Sequence, residues 1–204
     1  RRALGGTHSA PIAMVSVDFH EIEALQHAGD WGETAKILIR KARRVEQAGA
    51  DLLLICTNTM HKVADEISGS IGIPVLHIAD ATARAIRAAG IGTVGLLGTN
   101  FTMEQAIYRG RLEQHGIEVL VPPKNDRDAV HRVIYEELIL GQVRSESRDQ
   151  YLAIIDAMHR RGVQAVIEGC TEIGLLVQQE HTPVPLFDTT VIHAQQAVQE
   201  ALNG

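Results

Sequence analysis

Aromatic residues are scarce in this chain, with three Phe, three Tyr and one Trp among 204 residues. That scarcity removes the stacking platforms on which single-stranded nucleic acid is bound. An excess of basic charge is missing too. The formal net charge is −6, so a nucleic-acid surface has no electrostatic support. Long apolar runs are absent, and stretches such as Leu52–Cys56 are far too short to span a bilayer. No basic-then-apolar leader opens the chain, which points to the cytoplasm. Cysteine occurs only twice, too seldom for a disulfide scaffold. Neither cysteine has a second Cys or His at ligand spacing, so no metal site is expected. No Ser stands in a G-x-S-x-G context, which leaves a hydrolase triad without a foothold.

What is present is one pattern stated twice. Asp51-Leu-Leu-Leu-Ile55 runs into Cys56-Thr57-Asn58-Thr59, and Gln164-Ala-Val-Ile-Glu-Gly169 runs into Cys170-Thr171-Glu172. Each apolar run reads as a buried parallel strand, because both alternate sets of positions are apolar. Each is followed by helix-start residues and then a helix-like segment, Met60–Ile67 or Ile173–Gln179. Each cysteine is therefore placed at the carboxyl end of a strand and the amino end of a helix. Backbone N–H groups and the helix dipole there favour an anion, either a thiolate or a substrate carboxylate.

Along the rest of the chain, strands alternate with helices. Pro11–Val17 reads as a strand ending in a loop at Asp18–Glu21, and Trp31–Ala48 as a helix stopped by Gly49. Gly72–Ile78 reads as a strand and Asp80–Ala89 as a helix. Thr93–Leu97 is a strand turned by Gly98-Thr99-Asn100 into a helix over about Thr102–His115. Ile117–Val121 is a strand, followed by a polar loop through Asp128 and two helices, about Ala129–Leu140 and Ser147–Arg161. The strand Val184–Phe187 and a helix over about Thr190–Leu202 close the chain. The class is α/β with parallel sheets.

The order is duplicated, once from Pro11 to Asp80 and again from Ile117 to Asp188. Two pseudo-symmetric Rossmann-like domains with a cleft between them are expected, where open α/β sheets bind ligands. We assign residues 1–79 with 188–204 to the first domain and residues 80–187 to the second. The second copy opens with an extra strand, turn and helix that the first lacks. A strand–Gly-rich-turn–helix unit of about 25–30 residues is thus expected ahead of this chain's start.

Two thiols on opposite faces of one bound carbon can deprotonate it from one side and reprotonate it from the other, which inverts its configuration. Thiols suit the task because a site can bring their pKa, near 8.5, down towards neutrality. Thr57, Asn58, Thr59, Thr171 and Glu172 would then cradle an α-carboxylate and an ammonium group, with Glu172 holding the ammonium or steering the thiol's proton. Thr99 is a further candidate for substrate contact. Gly90-Ile-Gly-Thr-Val-Gly95 matches the dinucleotide fingerprint in form, but its glycines enter a strand instead of following one, and we reject it. His77 and His193 read as structural.

Cys56-Thr-Asn-Thr-Met-His61 paired with Glu168-Gly-Cys-Thr-Glu-Ile-Gly-Leu-Leu176 resembles the aspartate/glutamate racemase family. So do His77–Thr82, Gly95–Thr99, Tyr108–Leu112 and Ser16–Ile22. The likeness covers essentially the whole chain and is nearest to the broad-specificity amino-acid racemase branch. It implies a cofactor-independent racemase without pyridoxal phosphate, acting through Cys56 and Cys170 on a free amino acid and assembled as a homodimer. It also implies that Thr57, Asn58, Thr59, Thr171 and Glu172 hold the substrate. Members directed at aspartate carry an Arg and a Lys where this chain places Glu23 and Ile139, so neutral side chains are expected to compete well with aspartate. A hydantoin racemase or maleate isomerase of the same superfamily, or a non-catalytic amino-acid-binding domain, are the alternatives.

Overall fold

Alternation of short apolar runs with periodic stretches gives a mixed α/β chain in which every strand pair is parallel. The computed structural model describes residues 4–203, apart from the side chains of residues 106 and 107. The chain forms two compact units. One comprises the residues up to Leu54, Val63–Leu76 and those from Gln196 on; the other comprises Ile55–Lys62 and His77–Gln195.

Residues 8–18 carry no regular secondary structure, in place of the strand expected over Pro11–Val17. Ile12 and Met14 are 82% and 85% exposed there. β-branched and apolar residues alone do not make a strand without a neighbour to complete the ladder. The loop expected at Asp18–Glu21 is a helix start. The Asp18 carboxylate accepts from His20 N at 3.1 Å, capping α1 (Phe19–Ala28). Asp30 caps α2 (Trp31–Gln47) in the same way, accepting from Glu33 N at 2.9 Å. α2 buries Ala35, Ile37 and Ala42. β1 (Leu53–Leu54) pairs with β2 (Val75–Leu76) through α3 (Ala64–Ser68). The first cysteine run is thus a two-residue strand with one neighbour among the described residues, not one buried on both faces.

The second unit is larger. α4 (Ile78–Ala88) starts two residues earlier than expected because the His77 side chain accepts from Ala79 N at 3.1 Å. β3 (Thr93–Leu97) matches its expected span. The single helix expected after it is two, α5 (Asn100–Glu104) and α6 (Ala106–Gln114), broken where Gln105 takes extended backbone. β4 (Glu118–Leu120) leads to α7 (Lys124–Glu136), which begins inside the expected polar loop, and then to α8 (Ser145–Arg160). β5 (Ala165–Glu168), α9 (Ile173–Leu176), β6 (Leu186–Asp188) and α10 (Thr189–Asn203) follow. The sheet order is β4-β3-β5-β6.

β3 and β5 are central, and Val94, Leu96, Ala165, Val166 and Ile167 have no exposed surface. Tyr151 and Met158 of α8 pack in the same core. Gly95, the last glycine of the rejected fingerprint, serves packing: a Cβ there would lie 2.7 Å from the Met158 methyl.

Candidate active site

The strand order of the larger sheet reverses between β3 and β5. In open parallel sheets the carboxyl ends of two such strands flank the natural ligand crevice. The turns at those ends are Gly98-Thr99 after β3 and Gly169-Cys170 after β5. They approach closely enough to demand glycine. A Cβ on Gly98 would sit 3.0 Å from the Gly169 carbonyl oxygen, and one on Gly169 would sit 2.8 Å from the Leu97 carbonyl oxygen.

Cys170 follows directly from this turn and is partly buried. Its Sγ–H donates to Glu172 Oε2 at 3.0 Å. Burial and the Glu172 charge push the thiol's pKa up, and the backbone N–H groups of Thr171 and Glu172 at the sulfur only partly offset them. Amino-end N–H groups are therefore present, as expected, but the expected lowering of this thiol towards neutrality does not occur. The helix they introduce, α9, has four residues, a weak dipole against two opposing effects.

Cys56 is exposed. It lies between β1 and a 3-10 helix over Thr59–Val63, so its helix start is also irregular. Thr57 offers its carbonyl to His61 Nδ1 at 2.8 Å, while His61 Nε2 accepts from Ile78 N at 3.1 Å. That second bond fixes His61 as the Nδ1–H tautomer. The rings of His77 and His193 lie 4.4 Å and 5.8 Å from it.

Asn58 is buried and donates from Nδ2 to Thr189 Oγ1 at 3.0 Å. Thr189 spends its own proton on the Glu168 carbonyl at 2.8 Å, so the amide of Asn58 must point its nitrogen there. Asn58 Oδ1 is left buried with no hydrogen-bond partner. Thr59 Oγ1 meets Thr102 Oγ1 at 3.3 Å, and Thr99 Oγ1 lies 3.4 Å from the same hydroxyl while capping α5. Hydroxyls from the first cysteine loop and the β3 turn thus converge on Thr102. A hollow lined by Asn58, Thr59, Lys62, Phe101, Thr102 and Tyr108, among others, includes neither cysteine in its wall.

Three participants escaped the reading of the sequence. Thr102 and Thr189 carry no motif and gain their roles only through the turns they meet. Glu168 did carry a signal: it is the one charge in the run Ala165–Glu168, and it is 4% exposed. Burial, aided by the charge of Asp188, raises its pKa to about 8.

Residues 1–197 match the family model described as Asp/Glu/Hydantoin racemase. The chain belongs to this racemase family. Its fold matches the crystal structure of a Yersinia pestis protein classed with the Asp/Glu racemases, with 55% identity and a TM-score of 0.92 over 98% of this chain and 88% of that one. An aspartate racemase homologue from Pyrococcus horikoshii OT3 is 33% identical, with a TM-score of 0.86 over 98% and 88% of the two chains. The broad specificity amino-acid racemase RacX of Bacillus subtilis (strain 168) is 23% identical over 180 residues, 85% of this chain and 74% of that protein. Family membership makes the chain an isomerase by class. Among the described residues, no helix is long and apolar enough to cross a membrane.

Proposed function

We propose that this chain interconverts the enantiomers of a free amino acid without a cofactor, with Cys56 and Cys170 as its two proton-transfer groups. The observation that carries the reading is the Cys170–Glu172 hydrogen bond at the carboxyl end of β5, where the strand order reverses. Held as a thiol by burial and by Glu172, Cys170 is the proton donor of the resting enzyme. Cys56 as thiolate takes the α-hydrogen: an S–H bond forms, the C–H bond breaks, and its electron pair delocalises into the substrate carboxyl group. Cys170 then delivers its proton to the opposite face, re-forming C–H and leaving a thiolate. The reverse direction exchanges the two roles, so protons balance over each inversion.

Thr57, Asn58, Thr59, Thr99 and Thr171 are assigned to the carboxylate and ammonium of the substrate. The unpartnered Asn58 Oδ1 suits an N–H donor. Glu23 and Ile139 offer no cation to a side-chain carboxylate, which favours neutral side chains over aspartate. Chiral chromatography of single enantiomers tests this with wild type, Cys56→Ser and Cys170→Ser. Inversion of neutral amino acids by wild type alone is the expected result. Turnover surviving either substitution, turnover of hydantoins only, or binding without inversion would each overturn it.

A further inference from the structure

Glu168 is a buried titratable group that this mechanism leaves unused. Leu97 of β3, Glu168 of β5 and Asp188 of β6 are register neighbours, so the three side chains stand side by side on one face, about 5 Å from strand to strand. Glu168 Oε1 is buried without a hydrogen-bond partner. Its Oε2 and Asp188 Oδ2 both face Gly174, where a Cβ would lie 3.8 Å and 3.1 Å from them. A side chain at that position would press on the pair. Asp188 Oδ1 is committed to the start of α10, accepting from Thr190 N at 2.8 Å and Val191 N at 3.2 Å. Between Asp188 and Thr190 stands Thr189, the residue that links the Glu168 carbonyl to Asn58.

We propose that Glu168 is a positioning residue, acting through Asp188 and Thr189 to hold Asn58 in the substrate cradle for as long as no second negative charge stands beside Asp188. The proposal rests on the racemase reading above for its kinetic consequence, but not for its structural one. With Glu168 neutral, Asp188 is the single carboxylate at the start of α10, a position the helix dipole favours. Ionisation of Glu168 sets two like charges on adjacent strands. Asp188 directly precedes Thr189 at the start of α10, so any shift of Asp188 carries Thr189 with it. The titratable group that faces Glu168 is Asp188 on β6. β3 and α9 present Leu97 and Gly174, which do not titrate. Burial and Asp188 place the ionisation of Glu168 at about 8, within reach of ordinary assays.

KM and kcat measured from about pH 6 to about pH 9 for wild type, Glu168→Gln and Asp188→Asn test the proposal. Above the ionisation of Glu168 the competent fraction falls with pH, so wild-type KM should climb by about tenfold per pH unit with a smaller change in kcat. E168Q, whose amide stands in for the neutral carboxyl, should hold its KM over that range. D188N should also hold its KM, because ionised Glu168 then has no like charge beside it to push against. A KM that rises in step with wild type in either E168Q or D188N would overturn the proposal. The Asn58 side-chain amide resonance, assigned by its loss in N58A, gives a readout that needs no turnover. It should titrate in wild type and stay fixed in E168Q, and any other pattern counts against the proposal. If wild type turns over no amino acid, the racemase reading falls and the amide titration alone decides the role of Glu168.

Discussion

Asn58 hands its side-chain N–H to Thr189 Oγ1 at 3.0 Å. Thr189 passes the link on to the Glu168 carbonyl at 2.8 Å. Asn58 is two residues after Cys56, and Glu168 is two residues before Cys170. One hydroxyl therefore ties the segment carrying the first thiol to the strand carrying the second. The two cysteines ride on a shared hydrogen-bonded frame, although they are far apart in the chain.

Removing that hydroxyl should be costly. In Thr189→Val the buried Asn58 amide loses its acceptor, a penalty of about 1–3 kcal/mol. The urea midpoint of unfolding should fall accordingly, and KM should rise with it. Thr189→Ser keeps the hydroxyl and should recover most of both. An equal loss in the serine variant would place the effect in the packing of the methyl group.

The contact between Cys170 and Glu172 makes a prediction about the thiol itself. Burial is the larger cause of its raised pKa and survives any change at Glu172; the adjacent charge is the second cause and does not. Glu172→Gln in a Cys56→Ser background should therefore lower the pH at which thiolate absorbance appears, without bringing it to the range of a free thiol. An unmoved titration would mean that Glu172 does not govern this sulfur.

Two carboxyls should shape stability against pH in opposite senses. Glu168 has its pKa raised to about 8 by burial and Asp188. Its contribution is fully present below the ordinary carboxylate range and is lost as pH rises from there towards about 8. Asp80 behaves in reverse. Burial pushes it up, but hydrogen bonds from Arg111 and His115 outweigh burial and hold it well below the usual range. Its contribution is present above the ordinary carboxylate pKa and is lost as pH falls through its depressed value. E168Q should flatten the decline in thermal midpoint between the ordinary carboxylate range and about pH 8, and Asp80→Asn should flatten the acid one. A Glu168 variant that steepens that decline towards about pH 8 would contradict this.

Glycines at the two close approaches should not be equivalent. A methyl on Gly169 would meet the Leu97 carbonyl oxygen and the Leu96 side chain, both at 2.8 Å, and a backbone wall cannot step aside. A methyl on Gly95 meets first the mobile end of Met158, which can adjust. Gly169→Ala should therefore cost more stability than Gly95→Ala, by about 1–3 kcal/mol, and should displace Cys170. Equal denaturation midpoints would contradict the geometry.

The larger sheet was legible because its two central strands are apolar at most positions on both faces. β3 spans the expected residues, and the burial of β5 follows from Ala165, Val166 and Ile167. The first cysteine run has the same composition but pairs with only one short neighbour, and composition does not report how many neighbours a strand has. Pro11–Val17 shows the same limit more severely. Asp18 and His77 are capping residues, but each borders an apolar run whose composition alone reads as strand. At the site, the paired cysteine motifs were visible from spacing alone. The direction of the Cys170 pKa was not, because it depends on burial and on which way Glu172 points. Thr189 and Thr102 were invisible for a related reason: each acts through a contact distant in the chain.

Solvent deuterium at Cα tests the two-thiol account most directly. In D2O, wild type should invert each enantiomer of its substrate and label the product. Cys56→Ser and Cys170→Ser should each lose inversion, and any exchange they retain should fall on opposite enantiomers, since each remaining thiol reaches one face of the carbon. Inversion surviving in either variant, or exchange of the same enantiomer by both, would contradict the account.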